Sequence, residues 1–134
     1  MRAVLDPNVI ISALLSRDAP PAETLRAWRG GRFDLVVSEL LLTELERALS
    51  YPELRKRMTV DEAKRLIAWL KTTAELAPDP PKANTRSRDP GDDYLLALAE
   101  SERAALVSGD EHLLELSDNV PVFSPAAFLR LLEE

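Results

Sequence analysis

Three short apolar runs, each stopping at a polar residue, constrain the fold of this chain more than any other feature. They cover residues 3–5, 105–107 and, within a predicted strand over 33–37, residues 35–37. The residues that follow them are Asp6, Ser108 and Ser38. Apolar runs of this length are typical of strands that are buried on both faces. Helical patterns lie between them, and strands that alternate with helices form a mostly parallel sheet. We therefore predict a three-layer α/β fold.

Start and stop signals place the helices between these runs. Helices are predicted over residues 9–15, from Pro20 to the Gly30-Gly31 pair, from Ser38 to about Leu49, after Pro52, after Thr59, over 92–102 and over 125–132. A weaker strand over residues 120–123 belongs at a sheet edge, because Pro121 cannot donate to a ladder. The loop over 78–88 is too short to separate two domains. We expect residues 1–134 to form one domain around a sheet of about four to five strands.

Composition excludes several classes of chemistry. The chain has no cysteine and a single histidine, His112, so thiolate metal sites and mechanisms that need two imidazoles are excluded. No apolar run approaches the roughly 18 residues that cross a bilayer, so no membrane partner is expected. Asp6 stands where a signal peptide needs apolar residues, and this predicts a cytoplasmic location.

Charge is distributed unevenly along the chain, which carries a net −6. Residues 52–88 contain nine basic and five acidic residues, whereas residues 89–134 contain two and eleven. The basic segment is a candidate surface for an RNA backbone, although an ordinary solvated helix face would look the same. Its members are Arg55, Lys56, Arg57, Lys64, Arg65, Arg86 and Arg88.

Acidic residues fall where a parallel sheet gathers its ligands, at the carboxyl ends of the strands. Asp6 ends the first strand, and Asp110 follows the third. Asp92 and Asp93 open a helix that leads back into that third strand. Glu44 lies at the edge of the apolar stripe of the helix that follows Ser38. Each of these acids alone is as well explained by a turn, a cap or a solvated charge, but together they predict a site.

Three or four carboxylates without cysteine suit a hard divalent cation such as Mg²⁺ or Mn²⁺. Such an ion activates water and neutralises charge on a phosphoryl group, so metal-dependent phosphodiester hydrolysis is the predicted chemistry. His112 is interpreted as a cap of the short helix after Asp110 and is given no catalytic role.

Two other functions compete with this interpretation. A phosphatase of the haloacid dehalogenase type would use Asp6 as nucleophile, but Asn8 and Leu114 stand where that family has acids. A non-catalytic binding module could keep the fold, although a decayed site would be expected to have lost a carboxylate. Binding of Mn²⁺ separates the second alternative from an enzyme.

Four stretches, in order along essentially the whole chain, resemble the PIN-domain family. They are VLDPNVIIS at residues 4–12, SELLLTEL at 38–45, RDPGDD at 88–93 and LVSGD at 106–110. The resemblance is strongest to PIN-domain proteins described as toxin components of toxin–antitoxin systems, related to the VapC toxins. It implies an Mg²⁺- or Mn²⁺-dependent ribonuclease acting on single-stranded RNA, a homodimer and a cognate antitoxin. The motifs do not separate a growth-inhibiting toxin from a housekeeping nuclease.

By the same resemblance, particular residues form the active site. The catalytic acids would be Asp6, Glu44, Asp93 and Asp110, the metal ligands Asp6, Asp92, Asp93 and Asp110, and the supporting residues Asn8 and Ser108.

The identity of the third acid is open between two neighbouring residues, Asp92 and Asp93. Asp93 is favoured by the apolar residues that follow it at family spacing, whereas the distance along the chain to Asp110 favours Asp92. Pro7 departs from the family, which usually has Thr or Ser there.

Overall fold

Five strands form one sheet in which each strand runs parallel to its neighbours. The computed structural model of the protein describes residues 1–81, 90–115 and 120–134. The strands are β1 (Arg2–Leu5), β2 (Asp34–Val37), β3 (Glu75–Leu76), β4 (Ala105–Val107) and β5 (Val122–Phe123). Their order across the sheet is β3-β2-β1-β4-β5, so β1 is central. The predicted α/β fold with a parallel sheet of four to five strands is confirmed.

Helices connect the strands and cover the sheet. They are α1 (Pro7–Leu15), α2 (Pro20–Arg29), α3 (Glu39–Leu49), α4 (Pro52–Arg55), α5 (Val60–Thr73), α6 (Asp93–Glu102), α7 (Glu111–Leu114) and α8 (Pro125–Leu132). Right-handed connections put α1–α5 on one face and α6 and α7 on the other, and α8 packs against α2. Within the described part of the chain, no helix combines the length and apolar character needed to cross a membrane.

The core explains why the central strand is apolar after its first residue. Ala3, Val4 and Leu5 of β1 are fully buried, because helices cover both faces of the central strand. The ring of Phe33 meets that of Phe128 on α8 edge to face, with 5.0 Å between centroids. This contact ties α8 to the chain just before β2.

The sequence analysis missed one strand. β3 has two residues, Glu75 and Leu76, both exposed, so it carries no apolar run that could mark it. The predicted edge strand at 120–123 is confirmed at Val122–Phe123, beside β4 only. The predicted loop at 78–88 lies largely outside the described residues.

The first helix begins earlier than predicted. Asp6-Pro7-Asn8 was interpreted as a loop, but Asp6 is the N-cap of α1 and Pro7 is its first residue. Proline is well accommodated there, because its missing N–H would have no partner within the helix and its φ is already helical. The end of β1 therefore passes directly into α1.

Candidate active site

The register of the two central strands brings Asp6 and Ser108 together. Leu5 of β1 is paired with Val107 of β4, so the residues after them leave the sheet side by side. The Ser108 hydroxyl donates to Asp6 Oδ2 at 2.8 Å, and both side chains are buried. This crevice between β1 and β4 is also where the connections diverge to the two sides of the sheet, which is where open α/β sheets bind ligands.

The Asp6 carboxylate is held by two donors but remains buried. The backbone N–H of Asn8 donates to its Oδ1 at 2.9 Å, which caps α1. Burial raises the pKa of Asp6 from 3.8 to about 6, against the lowering effect of these two hydrogen bonds. The charges of Asp110 and Asp92 are smaller contributions to this same rise in pKa. A carboxylate in this setting is stabilised by a cation.

Asp92 and Asp110 meet at the same edge, together with His112. One ligand atom from each of the three lies within 4.8 Å of the other two. His112 Nε2 is 2.9 Å from Asp92 Oδ2. The backbone N–H of Asp110 donates to the Ser108 hydroxyl at 3.1 Å, so Asp110 is linked through Ser108 to Asp6.

Both of these acids occupy N-cap positions without acting as caps. Asp92 precedes α6 and Asp110 precedes α7, yet neither side chain makes a capping hydrogen bond. The alternative that they merely cap helices is therefore not supported. His112, which the sequence analysis assigned to a helix cap, contacts Asp92 instead.

Glu44 completes the acidic group from the side of α3. It lines a cleft of about 310 Å³ together with Asp6 and Asp92. Its carboxylate forms an ion pair with Arg47 one turn along the same helix. Glu44 is half-buried, in agreement with its predicted place at the edge of the apolar stripe, and Glu39 and Glu46 of the same helix are exposed.

Three residues that line this cleft, Arg47 and two tyrosines, were not predicted from the sequence. The chain has two tyrosines, Tyr51 and Tyr94, and both line the cleft. Burial raises the pKa of Tyr94 above its usual range, and the carboxylates of Asp6 and Glu44 raise it further. The Tyr94 phenol therefore stays protonated and can donate a hydrogen bond among the acids. A signal was present, since Tyr94 directly follows the predicted acids.

The two candidates for the third acid occupy different positions. Asp92 lines the cleft, and its charge acts on Asp6. Asp93 is the first residue of α6, is 4% exposed and is not among the residues that line the cleft. Because successive residues at a helix start point about 100° apart, only one of them can face the cleft.

The other predicted residues are placed as follows. Asn8 lines the cleft and is exposed, and Ser108 lies behind Asp6. Of the predicted basic surface, Arg55 lines a second cavity, and Lys56 and Arg57 are exposed. Arg86 and Arg88 lie outside the described residues.

The donor set fits a divalent cation. Two carboxylates and an imidazole, from Asp92, Asp110 and His112, lie within reach of one ion, and the charges of both acids also act on Asp6. Carboxylate oxygens suit Mg²⁺ or Mn²⁺. An imidazole in the group is better matched to later transition metals, so the donors alone do not select one ion.

Fold and site together define a PIN-domain protein. A family model described as PIN domain matches residues 2–112, which include all four acidic positions, and the chain belongs to this family.

A solved structure shares the fold. The chain is similar to a chain in the crystal structure of VapBC2 from Rickettsia felis bound to a DNA fragment from its promoter, with a TM-score of 0.60. The two are 14% identical, and the match covers 92% of this chain and 97% of the other. A comparison with curated protein sequences gives no significant match.

Proposed function

We propose that this protein is a metal-dependent endoribonuclease that cleaves single-stranded RNA. The observation that carries the proposal is the convergence of Asp6, Glu44, Asp92 and Asp110 from four segments of the chain at one edge of the sheet. Separate structural roles would not require four carboxylates to meet. Membership of the PIN-domain family supports the same reaction class.

The chain's own groups fix where the acids point. Ser108 and the Asn8 N–H hold the two oxygens of Asp6, and His112 holds Asp92. We assign the ion to Asp6, Asp92 and Asp110, which would hold it, and Glu44, on the α3 side of the cleft, would orient the attacking water. When bound, a divalent cation supplies an activated water and neutralises charge on the phosphoryl group.

Arg47 and Tyr94 contribute hydrogen-bond donors at the mouth of the cleft. The Arg47 guanidinium pairs with Glu44 and is largely exposed. It can therefore turn toward a phosphate that enters the cleft. The protonated phenol of Tyr94 donates where a phosphoryl oxygen would lie.

Cleavage assays with charge-removing variants test the proposal. We expect single-stranded RNA to be cut in Mn²⁺, with 5′-phosphate and 3′-hydroxyl ends, and the cut to be abolished by EDTA, Asp6→Asn or Asp110→Asn. Asp34→Asn, at the opposite edge of the sheet, serves as the control and should retain full activity. Cleavage that survives EDTA, or that is equal in all variants, would overturn the proposal.

We also propose that the protein is the toxin of a toxin–antitoxin pair, that an antitoxin covers the cleft and that the chain forms a homodimer. The similarity in fold to a chain of a VapBC2 complex supports this assignment. Expression with the product of an adjacent small gene should give a complex without RNA cleavage. Light scattering should give twice the mass of one chain. Independent purification of the two products would contradict the pairing.

A further inference from the structure

Helix α3 separates two cavities that share one residue. On one side, Glu44, Ala48 and Tyr51 line the acidic cleft, at the spacing of one helical face. On the other side, Thr43, Glu46 and Ser50 line a cavity of about 380 Å³ between α3, α4 and α5. Arg47 lies between the two faces and lines both. A bound RNA strand that leaves the acidic cleft over Arg47 would therefore enter the second cavity.

The second cavity is basic, although the chain as a whole is acidic. Arg47, Arg55 and Lys64 line it, against one acidic residue, Glu46. These residues carry a net +2 in a chain of net −6. Ser50 and Thr43 add hydroxyl groups to its wall, and Val60 and Ala63 add an apolar surface.

Arg55, which lines this cavity, has one guanidinium nitrogen without a partner. Its Nη1 is shielded from solvent and makes no hydrogen bond within the part of the chain that the structure describes. An unpaired buried guanidinium nitrogen is unfavourable, because it loses its hydration without gaining an acceptor. A phosphate oxygen is an acceptor of the right charge, and arginine binds phosphate through several N–H groups at once.

We propose that this cavity binds a phosphate of the substrate strand next to the scissile one, with Arg55 as its main donor and Arg47 and Lys64 beside it. The inference rests on the proposed nuclease function and deepens it, because it assigns a second contact with a single-stranded RNA. Tyr51, exposed in the cleft beside Arg47, offers a ring on which the intervening base can stack. A base must be unpaired to stack there, which favours a single strand over a duplex.

Binding of a labelled single-stranded RNA of about ten nucleotides tests this inference without any cleavage. Fluorescence anisotropy is measured in the full-length Asp6→Asn protein, alone and with a second substitution. We expect Arg55→Gln to weaken binding roughly three- to tenfold at low salt, and to reduce the slope of log K against log salt by about 0.7. Arg55→Lys should restore part of the affinity.

The matched control is Arg32→Gln, which removes the same charge. Arg32 lies just before β2, at the amino ends of the strands, whereas the acidic cleft lies at their carboxyl ends. Arg32→Gln should leave both affinity and salt slope unchanged. Thermal melting of each variant separates a lost contact from a lost fold. Arg57→Gln tests a diffuse basic surface, since Arg57 is exposed and does not line the cavity.

An affinity loss in Arg55→Gln no larger than that in Arg57→Gln or Arg32→Gln would overturn the inference. So would an equal loss with a dinucleotide, which has a single phosphate between its nucleosides and cannot fill both cavities. Failure of the proposed function looks different: Arg55→Gln would still weaken binding, but the wild-type protein would cut no RNA in Mn²⁺.

Discussion

Asp6 carries three roles on one carboxylate. It caps α1, accepts the Ser108 hydroxyl and faces the charges of Asp92 and Asp110. The first two roles hold the side chain in place. Burial, together with the smaller effect of the two neighbouring charges, makes its negative charge unfavourable unless a cation is near. A residue placed in this way lowers the free energy of unfolding of the metal-free protein, and this effect is measurable.

Replacing Asp6 with Asn should therefore stabilise the metal-free protein. The pKa is 3.8 for an ordinary Asp and about 6 in the fold, so the stability that Asp6 contributes is full below pH 3.8 and is lost as the pH rises through 6. This difference corresponds to about 3 kcal/mol. The substitution also takes the carboxylate acceptor from the Ser108 hydroxyl, and this cost offsets part of the gain. We therefore expect Asp6→Asn to raise the free energy of unfolding by roughly 1–2 kcal/mol at pH 7.5 in EDTA.

Urea unfolding at pH 7.5 and near pH 4 measures this effect, with Asp34→Asn as the exposed control. The gain in Asp6→Asn should shrink toward zero near pH 4. A variant that is less stable than the wild type by the same margin at both values would show that the buried charge is not the cause.

The two neighbouring aspartates should respond differently to the same substitution. Asp92 lines the cleft and is partly exposed, so Asp92→Asn should weaken Mn²⁺ binding at least tenfold with little change in melting temperature. Asp93 is buried and does not line the cleft, so Asp93→Asn should leave Mn²⁺ binding unchanged. Calorimetric Mn²⁺ titration and thermal melting of both variants check this. The reverse pattern would make Asp93 the ligand.

At the scale of elements, α3 does most to shape the site. Its apolar stripe of Leu41, Leu45 and Leu49 is buried against the core, which fixes the rotation of the helix. That rotation turns Glu44 into the cleft and leaves Arg47 between the two cavities. The position of α3 therefore sets both proposed contacts with the substrate.

Removing the N-cap of α3 should disturb the site as well as the fold. The buried Ser38 hydroxyl accepts from the Leu41 N–H, so Ser38→Ala should cost about 1–2 kcal/mol in unfolding free energy. Ser124 caps α8 in the same way, and Ser124→Ala is the matched control. Both variants should lose stability in urea, but only Ser38→Ala should also slow cleavage by the folded protein. Equal activity in the two would contradict the role given to α3.

At the scale of the whole molecule, topology decides where charge collects. Parallel strands deliver the residues after β1 and β4 to one edge, and α6 begins at that same edge. The acidic part of the chain therefore surrounds the cleft, while the basic residues Arg55 and Lys64 lie across α3. A net charge of −6 is thus compatible with a substrate that carries phosphates, because the two signs are separated in space.

Mn²⁺ should stabilise the entire domain. An ion that binds the folded state alone, at about one hundred times its dissociation constant, adds about 2.7 kcal/mol. For a domain of this size the melting temperature should rise by roughly 5 to 10 °C. Asp110→Asn should abolish the shift, and Asp34→Asn should keep it. A flat melting temperature in the wild-type protein would support a binding module without a metal.

Much of this structure could be predicted from the sequence, because the signals were local. Continuous apolar runs marked β1, β2 and β4, and capping residues marked the starts of α3, α5 and α8. The convergence of the acids at one sheet edge followed from parallel topology alone. The two-residue strand β3 had no such signal, since an exposed strand needs no apolar residues.

The sequence by itself determined the α/β class, the positions of β1, β2, β4 and β5, and the acidic character of the candidate site. Only the tertiary structure decided which of Asp92 and Asp93 faces the cleft, that His112 contacts Asp92, and that Arg47 joins two cavities. The reason is physical. Local patterns fix whether a residue is helical or extended, whereas the rotation of a helix about its axis is fixed by packing against distant segments. Rotation of a helix by 100° about its axis brings the next residue of the chain to the position of the one before it. No local sequence pattern specifies the rotation of a helix that finely.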